Sequence, residues 1–448
     1  MNWTRRIVLS LVCASLSQAQ GQTSAPVAVP DMPKGGEVFT LDLATALRLA
    51  EGRNLDIQLA RQRVAEAQAN HESSLARFFP WLAPGITYRR HDDLIQDVGG
   101  NFIEAHKESY APGATLTAQV DIGDALYQSL AAKQQVNVTR YASDAQRQAS
   151  ISSAAQGYFD LLVAQAVVKV AEEAVRISSN YLTQIEHAVQ AGLAFRGDEL
   201  RVRVEEENNR LALRRAIERQ RLASAQLVQI LHLAPAVDLQ ARENELVPLS
   251  LVETNRGFRD LVDDALGTRP ELKQSQAAIG VARENRKGAV YGPLIPSAGA
   301  QYFAGGLGGD SAVGASRFSD QQDLFAGLSW RIGPGGLFDF SRKRAAEAQL
   351  RSAELGADKT RDEIARQVVE AATRVQSLTD QIGSARRALA AAEEGLRLAL
   401  VRREYAVGVV LEAIQAEQDF TRARGDYLRV IGELNKAQYA MLRALGKM

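Results

Sequence analysis

Histidines, carboxylates and glycine-rich runs are the residues with which this 448-residue chain could do chemistry, and their spacing supports little of it. The five histidines, His71, His91, His106, His187 and His232, are scattered. No two sit at a helical spacing that aims both rings at one ion, so no metal site is expected. The run Ala304-Gly305-Gly306-Leu307-Gly308-Gly309 lacks the Lys-Ser/Thr of a phosphate loop and follows a strand pattern without opening a helix, so it reads as a flexible surface loop. Gly333-Pro334-Gly335 reads as a bend between a strand and a helix rather than a ligand cradle. Asp198 stands where a helix is expected to begin near Glu199; that position suits an N-cap and is compatible with an exposed contact at a helix start. No Ser/His/Asp set or carboxylate pair stands out, so the chain is not expected to be an enzyme and no cofactor is implied.

The elements that position these residues come as a duplication. Two copies of one unit follow each other about 216 residues apart, 41–250 and 251–448, with Pro80 matched by Pro296 and Gly192 by Gly408. The step Asn54-Leu55-Asp56-Ile57 is matched by Arg269-Pro270-Glu271-Leu272. A repeat of this size duplicates a whole architectural unit. Lys and Arg number 53, as do Asp and Glu. The balance argues against a nucleic-acid surface, which needs a basic excess. Residues 1–19 read as a signal peptide: Arg5-Arg6, an apolar run from Ile7 to Leu16, and Ser17-Gln18-Ala19 as a small-x-small cleavage site. The single cysteine, Cys13, falls in this leader, where removal with the leader and lipid attachment are both open. Residues 20–40 read as an extended N-terminal arm. Beyond the leader no stretch reaches the roughly 20 apolar residues of a membrane-spanning helix, so any membrane crossing must be made of strands.

Ile364, Val368, Ala371, Val375, Leu378, Ile382, Ala385, Leu389, Ala392, Leu396 and Ala399 recur in alternating steps of four and three. This heptad seam predicts a helix from about Arg342 to Tyr405, too long for a globular element and obliged to lie along partner helices. The corresponding first-copy helix runs from about Tyr127 to Gln190. Between the helices the period changes to two, as in Leu324, Ala326, Leu328, Trp330 and Ile332. Strands are predicted near 84–91, 112–122, 296–304 and 322–332, the pairs joined by loops at about 92–112 and 305–321. One apolar and one polar face is the pattern of a membrane barrel strand. Four strands cannot close a barrel, which needs at least about eight, so several chains must pool theirs, and three would give twelve.

With these features the chain resembles the TolC family of outer-membrane efflux channels over about Leu41 to Leu445. The most specific segments are Ala191-Gly192-Leu193-Ala194-Phe195-Arg196-Gly197-Asp198-Glu199-Leu200 and Tyr405-Ala406-Val407-Gly408 with Leu411-Glu412-Ala413-Ile414. The resemblance implies a mainly α fold with a small β part. Each unit is a helix/β-hairpin/helix, and a homotrimer forms a 12-stranded outer-membrane β-barrel continued by a long α-helical coiled-coil tunnel into the periplasm. It implies a passive duct for efflux or type I secretion, seated in outer-membrane lipid and opened at its tip by a periplasmic membrane-fusion adaptor and an inner-membrane pump of RND, ABC or MFS type.

The resemblance places the adaptor-docking tips at Gly192, Leu193, Asp198, Leu200, Gly408 and Leu411. It places a carboxylate gate at Glu412, with Glu417 as the alternative if the register is shifted, because the second tip is about two residues shorter than the family pattern. Tyr405 reads as either a packing or a gate residue. The competing expectation is a periplasmic coiled-coil structural or adaptor-like protein. A pump adaptor carries one helical hairpin flanked by β-rich domains, whereas this chain has two hairpin tips.

Overall fold

The computed structural model of the chain describes residues 38–243, 245–253, 256–310, 317–404 and 409–448. The leader, most of the 20–40 arm, Tyr405 and Gly408 lie outside the described residues.

In the first repeat, β1 (Val38–Leu41) leads into α1 (Leu43–Arg53) and α2 (Leu55–Ala76), then β2 (Trp81–His91), the small strands β3 (Leu94–Gln96) and β4 (Phe102–Glu104), and β5 (Lys107–Asp121). The long helix α3 (Ile122–Gln190), α4 (Arg196–Ile230) and β6 (Asp238–Ala241) complete it. The second repeat runs α5 (Phe258–Thr268), α6 (Pro270–Tyr291), a 3-10 turn, β7 (Ser297–Asp310), β8 (Arg317–Ser329), α7 (Phe340–Glu404) and α8 (Val410–Ala444). The duplication is legible in the lengths: α1 and α5 have 11 residues each, α2 and α6 22, α4 and α8 35, while α3 has 69 and α7 65. At 1.5 Å per residue α3 and α7 are each about 100 Å long.

The heptad seam of α7 packs as its spacing predicts. Ile364, Val368, Val375, Leu378, Leu396 and Ala399 are buried, and the seam residues between them are half-buried. Two apolar clusters hold the middle of the molecule. One joins Leu49 of α1 to Tyr158, Leu161, Leu227 and Ile431; the other joins Leu261 and Ala265 of α5 to Val368, Val375, Leu434 and Met441. Each short helix thus caps a core shared by the long helices. The arm is in part a folded element, because its last residues form β1, which pairs in parallel with β6, Val38 against Asp238 through Leu41 against Ala241.

The main sheet has the order β2-β5-β7-β8, all neighbours antiparallel. Strand β7 begins at Ser297, next to the expected 296, whereas β2, β5 and β8 begin at Trp81, Lys107 and Arg317, ahead of the expected 84, 112 and 322. The glycine-rich run at 305–309 is not a loop: it lies inside β7, bonded to β5 and to β8. Glycine weakens a strand for want of a side chain to pack, and here neighbouring rings fill the gap. The Phe318 ring lies over Gly306 and the Tyr110 ring over Gly308, and the two rings stack 6.1 Å apart. Strand β5 begins at Lys107 and runs through Pro112; the β5–β7 ladder skips Ala111 and Pro112, as the missing proline N–H requires. At the other end β8 stops at Ser329, and Trp330 turns aside to donate its Nε1–H to the Leu294 carbonyl at 3.3 Å.

Candidate functional site

Alternation on the sheet separates two faces. Leu82, Pro84, Ile86 and Tyr88 of β2 stand opposite Leu116, Ala114, Pro112 and Tyr110 of β5. The same face continues through Ala300, Tyr302 and Ala304 of β7 to Ala326 and Leu324 of β8, where Gln322, which takes a hydrogen bond from Tyr302 Oη, and Asp320 interrupt it. Tyr88, Tyr110, Gly308 and Phe318 form one cross-strand row that ends the apolar band in aromatic rings. The reverse face carries Thr87, Arg89, Thr115, Thr117, Gln119, Gln301 and Asp323, with the rings of Trp81, Phe303 and Phe325 among them. Among the described residues β2 and β8 pair on one side only, so the sheet has two open edges. No helix among the described residues is long and apolar enough to cross a membrane.

Below the sheet, strands pass into helices by two routes. β5 continues into α3 without a break, whereas β8 turns through Gly333, Pro334 and Gly335. Gly333 and Gly335 have φ of +128° and +78°, values that disfavour a side chain. The two junctions are fastened together by Arg342 at the start of α7, whose guanidinium forks onto Asp124 of α3 at 2.7 and 3.3 Å.

At the far end of the helices, the α3–α4 turn closes on Gly192. With φ of +74°, Gly192 lets Leu193 N–H reach the Ala188 carbonyl at 2.8 Å while its own N–H bonds to Val189 at 3.0 Å, a Schellman ending. Leu193 is 84% exposed and Leu200 is also exposed. Asp198 is not the N-cap, because α4 starts at Arg196 with Phe195 in the cap position and no side-chain cap. Asp198 instead sits in the first turn, where its negative charge suits the helix dipole, and pairs with Arg201 at 3.2 Å.

The second tip is built alike. α8 starts behind Val409, also uncapped by a side chain, and Leu411 is exposed. Glu412 occupies the first turn and reaches back to Arg402 near the end of α7 at 2.7 Å. Both partners are well exposed, so the pair contributes about 0–1 kcal/mol. Sequence reasoning missed Phe195 and Val409, which with Leu193 and Leu411 make the tips apolar. The signal available was an exposed aliphatic or aromatic residue where a helix start ordinarily shows Ser, Thr, Asn or Asp.

Glu417 occupies a different setting. It is buried at 3% exposure between helices of its own protomer, and its Oε1 accepts from Asn209 Nδ2 of α4 at 3.0 Å. Beside it Gln418 Nε2 donates to Glu205 Oε2 at 2.8 Å. Burial, and secondarily the charge of Glu205, push the Glu417 carboxyl up to about 7, against the opposing effect of the Asn209 hydrogen bond. Among the described residues no three His, Cys, Asp or Glu side chains converge as a metal-holding group.

Comparison with known proteins agrees with this geometry. The family model described as outer membrane efflux protein matches residues 46–231 and 261–447, one match per repeat. The chain is similar to Protein CyaE of Bordetella pertussis, 25% identical over 439 residues that cover 96% of this chain and 89% of that protein. Its fold is similar to that of the CmeC outer membrane channel of Campylobacter jejuni, with a TM-score of 0.78 at 16% identity, covering 90% of this chain and 85% of that one. A membrane protein from Pseudomonas aeruginosa gives a TM-score of 0.78 at 18% identity, covering 95% of this chain and 97% of that one.

Proposed function

The chain belongs to the outer membrane efflux protein family, and from that premise we propose that three copies pool their sheets into a twelve-stranded barrel and their helices into a periplasmic tunnel, a passive exit duct. The protein is a channel component of the outer membrane that extends into the periplasm. The observation that carries the proposal is the four-stranded sheet, mainly apolar on one face, richer in polar residues on the other and, among the described residues, open at both edges. In lipid an open edge leaves backbone groups without partners, which costs several kcal/mol for each, so the edges must be closed by further copies. The ten-residue rise from Phe318 to Leu328, on which the same face carries Asp320 and Gln322 near its upper end, is about 33 Å along the strand. Tilted by about 40° it spans about 25 Å, the height of an outer-membrane apolar band.

Transport energy comes from partners: a periplasmic membrane-fusion adaptor seated on the tips at Gly192, Leu193, Asp198, Leu200, Gly408 and Leu411, and an inner-membrane pump of RND, ABC or MFS type. The apolar surface of Leu193, Phe195, Val409 and Leu411 supports a docking role for these turns. Opening proceeds by outward movement of the α7–α8 hairpin. Glu412, half-exposed and tied to Arg402 across the turn, is the better supported gate carboxylate, with Tyr405 in the sequence between the two helices. Glu417 faces its own protomer's α4 instead.

Purified protein in planar bilayers is expected to give stepwise, cation-selective conductance that a multivalent cation blocks, with block weakened in Glu412→Ala and unchanged in Glu417→Ala. Folded protein that forms no pores and fractionates as a soluble periplasmic product would support the scaffold alternative.

A further inference from the structure

The second hairpin packs on the first mainly through α8 against α3, and near the tip α8 also touches α4, at a seam that contains two carboxylates without a cation. Glu205 of α4 and Glu417 of α8 are both buried, and among the described residues neither forms an ion pair. Each takes one amide hydrogen bond across the seam, Glu417 from Asn209 and Glu205 from Gln418. The Asn209 amide also lies 3.5 Å from the Ala174 carbonyl of α3, so a single side chain bridges three helices.

The charged groups on the surrounding elements are engaged with one another. On α3, Glu173 pairs with Arg176 and also feels the charge of Arg424. On α4, Glu199 pairs with Arg203 and Glu206 with Arg210. On α7, Arg397 pairs with Glu394 and Arg402 with Glu412; on α8, Asp419 pairs with Arg422. The apolar cluster adjoining the seam consists of Tyr181, Ile185, Val202, Ala413 and Ile414. It contributes packing but no counter-charge.

We propose that Glu417 and Glu205 form a proton-controlled latch that holds the second hairpin against the first while Glu417 is protonated and releases it when the proton leaves. The proposal rests on the duct function, because the α4–α8 seam must part for the α7–α8 hairpin to swing outward. With the proton in place the like-charge repulsion between the two carboxyls is relieved; without it, two carboxylates share a buried seam in which each takes one amide hydrogen bond. The packed seam raises the Glu417 value from 4.5 to about 7, so packing binds the proton more tightly than the parted state does. Packing stability from this group is therefore complete below about 4.5 and is lost as pH rises through about 7.

The test uses the full-length protein from about pH 5.5 to about pH 8.5, read by bilayer conductance and by hydrogen exchange of the amides at the start of α8, corrected for the intrinsic pH dependence of exchange. In the wild type, open probability rises and amide protection falls as pH passes about 7. Glu417→Gln, which cannot ionise, keeps the low-pH behaviour throughout. Glu205→Gln removes the like charge and shifts the midpoint down, which serves if the first variant fails to fold. Protection in the wild type that does not change with pH, or a Glu417→Gln profile that matches the wild type, overturns the latch. Loss of pores at every pH with the exchange profile intact overturns the duct function and leaves the latch standing.

Discussion

Arg269 does for the second repeat what Asn54 does for the first, by different chemistry. Asn54 caps α2 through bonds from Asp56 and Ile57 N–H and donates its amide to the Ile230 carbonyl at the end of α4. Arg269, buried at the matching step, donates to the Arg443 and Ala444 carbonyls at the end of α8, and also to Glu271 and Gln367. In each repeat one side chain ties the start of a short helix to the last turn of a 35-residue helix, and a cation there also suits the negative end of the dipole. Arg269→Ala is expected to cost about 3 kcal/mol, because buried acceptors lose their donors, and Arg269→Lys should recover little, because one ammonium cannot fork to four partners. A fall in the thermal unfolding temperature of the purified protein, unrescued by Lys, checks this. The pairing of positions 54 and 269 was legible from the repeat spacing, but the bonds were not, since partners some 175 residues away leave no trace in a local pattern. The same limit applies to Glu417, whose burial depends on α4, and to Asp198, displaced from the cap because α4 starts earlier, at Arg196.

Among the elements, the long helices were the easiest to read, because a seam sustained over many turns outweighs any single residue. The strands were readable in their alternating halves and not in their glycine-rich or proline-containing ends, where local propensity points to a loop and neighbouring strands decide otherwise. The glycines of the sheet, Gly305 and Gly308 of β7 and Gly85 of β2, differ in what they tolerate. A Cβ on Gly305 would meet the Pro112 carbonyl oxygen at 2.3 Å, a backbone atom that moves only if the strands part. A Cβ on Gly308 meets the Tyr110 ring, which can swing away at the expense of its stacking on Phe318, and one on Gly85 meets nothing within 4 Å. Gly305→Ala is therefore expected to destabilise the sheet by about 1–3 kcal/mol. Gly85→Ala should be silent and Gly308→Ala intermediate. The yield of SDS-resistant oligomer, compared across the three variants, reads out that ranking.

For the whole molecule, the duplication, the membrane strands and the hairpin tips follow from the sequence because each is a long-range pattern present twice. The closure of the sheet does not, because the closing partner we propose is another copy of the chain. The protomer ends in two strand edges, β2 and β8, that lipid cannot satisfy. The most direct test is cysteine cross-linking in a Cys13→Ser background, the chain having no other cysteine. Pro84→Cys on β2 is combined in turn with cysteine at successive same-face positions of β8, Phe318, Asp320, Gln322, Leu324, Ala326 and Leu328, a scan made to bring one combination within the Cα separation of about 4.4–6.8 Å that a disulfide accepts. Closure predicts that this combination yields covalent trimers, with dimers as the intermediate and nothing larger. Cross-links confined to monomers in every combination, from protein that partitions into the outer membrane, would contradict it.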